Sequence, residues 1–181
     1  MKKSFSWLLV LLIFLSYSCS GKGLRSRYDT TNLPVGPIQY QALEDWELGT
    51  PENFMRLEQF QISENSELAV YFLPGAAGTV SENIARWKNQ FLANQSKKEL
   101  LLEQYNFKTI PLTEFYIEGD FKKSANPFDP AAKKEILDAY AMYAVVAEVE
   151  EGKWFFKALG PKDEMSSAKT DFEEFIQTFR I

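Results

Sequence analysis

The chain has 181 residues, 45% hydrophobic and 25% charged, with a formal net charge of −5. That length and mix suit one globular domain with a sizeable core and exclude a disordered chain. One cysteine and no histidine exclude a Ser-His-Asp or Cys-His catalytic arrangement, a zinc site built of Cys and His, and any disulfide within the chain.

The N-terminus reads as an address. Lys2 and Lys3 open it, residues 4–15 form an apolar stretch, and Ser16, Tyr17 and Ser18 precede Cys19. A stretch that short falls below the ~20 residues of a transmembrane helix and matches the apolar region of a secretory signal. The pattern predicts a lipoprotein signal peptide over 1–18, cleaved so that Cys19 becomes the lipid-bearing first residue. Leu15 stands four residues before the cysteine, with Ser16 in the position three before it that leucine usually takes. A plain secretory signal and an uncleaved anchor are the alternatives. Ser20, where an aspartate would mark inner-membrane retention, points to the periplasmic face of the outer membrane. Removing Lys2 and Lys3 takes the net charge from −5 to −7. An acidic domain repels phosphate backbones, so no nucleic acid is expected as a partner. Residues 19–37 carry the lipid and then read as a flexible tether, rich in Gly, Pro, Ser and Thr. Lys22, Arg25 and Arg27 in it could touch lipid phosphates.

The predicted domain spans 38–181. Residues 38–43 suggest a short strand leading to Trp46, 55–62 alternate like a strand, 63–66 turn, and 68–73 are a continuous apolar run expected of a strand covered on both faces. After a glycine loop, Thr79 and Glu82 fit a capping box, predicting a helix over 80–93 with Val80, Ile84, Trp87 and Phe91 on one side. Ser96 and Glu99 fit a second capping box, predicting a short helix to about 104. Residues 107–112 and 114–121 look extended, 122–128 is a loop, and Asp129-Pro130 can start a helical turn. Residues 140–149 and 153–159 read as a hairpin, stopped by Gly160-Pro161. A last helix over 167–179 shows the stripe Ala168, Phe172, Phe175, Ile176 and Phe179. Hairpins with few helices mean an α+β fold: a curved, mostly antiparallel sheet packed by helices and closed by a C-terminal amphipathic helix.

That order of elements resembles the Mog1/PsbP-like fold over roughly residues 38–181. The motifs also resemble those of a group of bacterial envelope lipoproteins. These are Met55-Arg56, the loop from Gly75 to Gly78, Asn83, Arg86, Trp87 and Gln90 in N-x-x-R-W-x-x-Q spacing, and Trp154 to Pro161 in W-F-F-K-x-x-G-P spacing. The resemblance implies a fold and a location, and no reaction.

Asn83, Arg86 and Gln90 form a polar strip on the wheel beside Trp87. With Arg56 and Lys157 they could line a pocket for a carboxylate or phosphate, helped by the open N–H groups at the helix start. The alternative is structural: the same residues bond loop carbonyls and lock the helix onto the sheet. The loop from Gly75 to Gly78 lacks the Gly-Lys-Ser/Thr ending of a phosphate-binding loop. Trp154 and Phe156 alternate with Phe155 as in a strand buried on both faces. Glu44, Asp45 and Glu47, Glu118 and Asp120, and Glu150 and Glu151 read as solvated charge. No catalytic residue, metal ligand or cofactor is therefore expected. The expected role is a non-catalytic binding or assembly domain, anchored through Cys19, whose partner is an envelope protein or a small ligand. The alternatives are an envelope hydrolase of a glycan or phosphoester using Arg86, Lys157 and a carboxylate, and a carrier of a small apolar ligand.

Overall fold

A computed structural model describes residues 24–25, 38–75, 78–124, 129 and 131–181. Cys19 and the leader lie outside the described residues, as does the tether apart from strand β1 (Leu24–Arg25), which pairs antiparallel with β2 (Ala42–Leu43). The main sheet has seven antiparallel strands: β3 (Glu47–Leu48), β4 (Glu58–Ser63), β5 (Ser66–Pro74), β6 (Lys98–Phe107), β7 (Ile110–Ser124), β8 (Lys134–Val149) and β9 (Gly152–Pro161). Their spatial order is β3-β4-β5-β9-β8-β7-β6. Two helices pack on the sheet, α1 (Val80–Lys88) and α2 (Lys162–Gln177). The α+β class, the curved antiparallel sheet and the C-terminal helix are as expected.

The alternation of side chains along each strand divides the core in two. On one face α2 sets Phe172, Phe175 and Ile176, followed by Phe179, against Tyr40, Tyr143, Trp154 and Phe156, all buried. Tyr40, Phe156, Phe175 and Phe179 meet ring to ring, with Phe156 and Phe179 centred 4.6 Å apart. On the other face α1 lays Val80, Ile84 and Trp87 over Phe115, Ile117, Val146 and Phe155. Central strands therefore carry apolar residues on both sides, as the unbroken run in β5 and the Trp154–Phe156 triplet predict. Gly160 is fixed by contact: a Cβ there would stand 1.9 Å from Ser66 Oγ.

Element boundaries differ from the sequence reading at several places, among them β4, which begins at Glu58 and leaves Met55 and Arg56 before the strand. The second capping box is not formed, and residues 98–107 are strand β6. Ser96 Oγ donates to Asn94 Oδ1 (2.6 Å) and accepts Asp120 N (3.2 Å), a turn that delivers the leucines to the edge of β7. Leucine favours helices only slightly over strands when no pairing edge is near, and here the edge wins. Helix α1 ends at Lys88 rather than near 93, because Gln90 O and Leu92 N are taken by Lys122 N and Asp120 O of β7. Residues 110–124 form one strand, β7, after a turn at Lys108, and β8 begins at Lys134, earlier than expected. Finally, α2 starts at Lys162 directly after Pro161, so the residue that stops β9 also opens the helix. Asp163 and Glu164 sit in its first turn, where the helix dipole favours acids.

Candidate functional site

The capping box at α1 forms as its sequence dictates. Thr79 Oγ1 accepts Glu82 N (3.1 Å) and Glu82 Oε2 accepts Thr79 N (2.7 Å). The start of the helix is thereby satisfied from within the chain. Asn83 is buried, and its Nδ2 donates to Thr79 O at 2.9 Å while its Oδ1 accepts from Arg86 Nη2 at 2.7 Å. Asn83 thus ties the first turn to its loop. Trp87 belongs to the core, stacked on Phe115 (6.5 Å) and edge-on to Phe155 (6.0 Å). Arg86 is exposed, and Gln90 is half-buried with its Oε1 lacking a hydrogen-bond partner.

Arg56 lies just before β4 and pairs with Glu52 (3.0 Å) and Glu67 (3.0 Å). Glu67 also accepts Gln59 Nε2 at 2.7 Å. Phe54, in the same loop, is 90% exposed. Next to this group, on β9, stands Lys157, whose cross-strand neighbours are Ala69 of β5 and Ala144 of β8. Two methyl-sized neighbours leave its long stem lying against the sheet. Its amine makes no hydrogen bond or ion pair with the described residues, while Arg56, Arg86, Glu67 and Glu52 act on it electrostatically. Burial first, and then the Arg56 charge, push the Lys157 amine down to about 8. So the structure brings Arg56, Arg86 and Lys157 to one region of the α1 side of the sheet, and assigns Asn83 and Trp87 to structure. Three cations face two carboxylates there, and both carboxylates are already held by Arg56. Such a group can hold an anion through the lysine and Arg86.

This architecture is matched by a solved structure. The chain has a PsbP-like fold. It superposes on the solution structure of cyanobacterial PsbP (CyanoP) from Synechocystis with a TM-score of 0.58, covering 91% of this chain and 95% of that one at 11% identity. No protein-family profile matches the chain, and no curated protein matches it. A likeness at that identity carries the PsbP-like fold and leaves the chemistry to the side chains.

Sequence reasoning missed a set of carboxylates on the α2 side. Glu118, read as solvated, is buried: Lys162 Nζ pairs with it at 2.7 Å and Tyr116 donates to it at 3.3 Å. Glu58 accepts Tyr40 Oη at 2.6 Å, and Glu114 accepts the hydroxyls of Tyr143 (2.5 Å) and Tyr105. Each buried charge is compensated by a tyrosine, as burial requires. Burial, together with these glutamates, holds the Tyr40 and Tyr143 hydroxyls well above the ordinary phenol range. Glutamates that meet tyrosines 9, 18 and 29 residues away leave no mark in one-dimensional sequence. Among the described residues, no three His, Cys, Asp or Glu side chains gather to hold a metal.

Proposed function

We propose that this chain is a membrane-tethered binding domain of the bacterial cell envelope. Lipid on Cys19 would anchor it at the periplasmic face of the outer membrane, with its Arg56–Arg86–Lys157 region taking a carboxylate or phosphate of an envelope partner. The observation that carries this reading is the Lys157 amine, unpartnered among the described residues and flanked by two arginines. Against an acidic domain of net charge −7 after loss of Lys2 and Lys3, a local cationic region selects where an anion can land. Exposed Phe54 supplies an adjoining apolar surface. A hydrolase would need a carboxylate free to move a proton, and Glu67 beside Lys157 is held by Arg56 and Gln59. A carrier of an apolar ligand would need an internal cavity, whereas aromatic rings fill the layers under both helices.

Chemical-shift mapping with inorganic phosphate and with a short peptide bearing a free C-terminal carboxylate tests the reading. The expected result is saturable movement of the Lys157, Arg86 and Phe54 signals. Movement confined elsewhere, or none, contradicts it.

A further inference from the structure

The sheet ends differently on its two sides. One end is β3, two residues long; the other is β6, ten residues long. Among the described residues β6 pairs only with β7, so its outer row of backbone N–H and C=O groups has no strand partner. Proteins ordinarily blunt an edge of that length with charge, proline or a covering element. Here the charges are Lys98, Glu99 and Glu103, and between them Leu100 and Leu102 are 55% and 54% exposed. On one flank of β6 runs a groove of about 460 Å³, between Leu102 and Gln104 of the strand and Val80, Ile84, Ala85 and Lys88 of α1. On the other flank Glu103 stands directly across from Glu114. Tyrosine hydroxyls reach Glu114, yet neither carboxylate has a lysine or arginine partner among the described residues. Like charges directly opposed across a strand pair are unfavourable, and a cation beside them would relieve this.

We propose that β6 accepts an extended segment of a partner protein as an added strand. That segment alternates apolar side chains, which enter the groove beside Leu102, with a lysine or arginine beside Glu103 and Glu114. The period of two residues in a strand dictates the alternation, because successive side chains must serve the apolar and the acidic flank in turn. A second copy of this chain is a poor occupant. Antiparallel β6–β6 pairing would bring another Glu103 and Glu114 to the acidic flank and add like charge. The edge lies at the opposite side of the sheet from β4 and β5, and the groove takes Val80, Ile84, Ala85 and Lys88 of α1 whereas the Lys157 region takes Arg86 of that helix.

The test uses the full chain and labelled ten-residue peptides, read by fluorescence anisotropy. One peptide alternates leucine and lysine, and one alternates leucine and glutamate. Two further leucine–lysine peptides are N-methylated on one or the other alternate set of backbone amides. The expected result is that the leucine–lysine peptide binds at least tenfold tighter than the leucine–glutamate peptide. One methylated set should lose at least tenfold and the other little, the signature of a strand bonded along one edge. Glu103→Lys should reverse the charge preference, and Glu103→Gln should shrink it below threefold. The inference is overturned if both charge patterns bind alike, if neither binds, if both methylated peptides retain full affinity, or if the chain dimerises through β6. Circular dichroism checks each variant; if Glu103→Lys does not fold, Glu103→Gln and the methylated peptides decide.

Discussion

Lys157 and Glu164 show how single groups couple this fold to pH. Lys157 titrates near 8 in the folded chain, below an ordinary lysine at 10.5. The folded state therefore disfavours its proton: the destabilisation is fully present below about 8 and fades as pH rises toward 10.5. Lys157→Met should raise the melting temperature at pH 7, with the gain shrinking through that same window, as thermal melts across pH would report. Glu164, in the first turn of α2, has the opposite sign. Burial works against its charge, but Ser63 Oγ (2.5 Å), Asn65 N (2.9 Å), Asn65 Nδ2 (2.8 Å) and Ser66 Oγ (2.8 Å) outweigh burial and hold the carboxyl down at about 2. Its stabilising effect is present above an ordinary 4.5 and is lost as pH falls from there toward 2. Glu164→Gln should cost about 1–3 kcal/mol by denaturant titration at pH 7 and much less at pH 2.5. Neither residue's environment could be read in one dimension. Lys157 is defined by Ala69 and Ala144 on two other strands, and Glu164 by a turn about a hundred residues earlier.

At the scale of elements, legibility followed locality. The Thr79–Glu82 box, the apolar side of α1 and the β8–β9 hairpin are encoded within a few residues, and they form as expected. Strand β6 is not local: its three leucines and its Ser96–Glu99 spacing suit a helix, and only pairing with β7 decides otherwise. The Asn83–Gln90 strip divided for a related reason. Asn83 and Trp87 were committed to holding α1 down, leaving Arg86 available on its outer side. Trp87→Ala should therefore cost about 3–5 kcal/mol, as for other large rings removed from a core. By contrast, Phe54→Ala should leave stability within about 0.5 kcal/mol while weakening anion binding, a separation measured by paired melts and titrations.

For the whole molecule, the period of apolar residues was enough to give an antiparallel sheet with a closing helix, and the PsbP-like superposition agrees with it. Location rests on the N-terminus alone. Mass spectrometry of the native protein should find a chain beginning at acylated Cys19, and an intact Met1 would refute the tether. What the domain binds depends on the face carrying Arg56, Arg86 and Lys157, and calorimetric titration with a peptide carboxylate at pH 6.5 and 9.5 addresses it most directly. The expected result is binding at pH 6.5 that weakens at least tenfold at pH 9.5, where the amine with its pKa of about 8 has lost its proton, and that is absent in a folded Lys157→Met variant. Affinity unchanged by pH and by that substitution would contradict it.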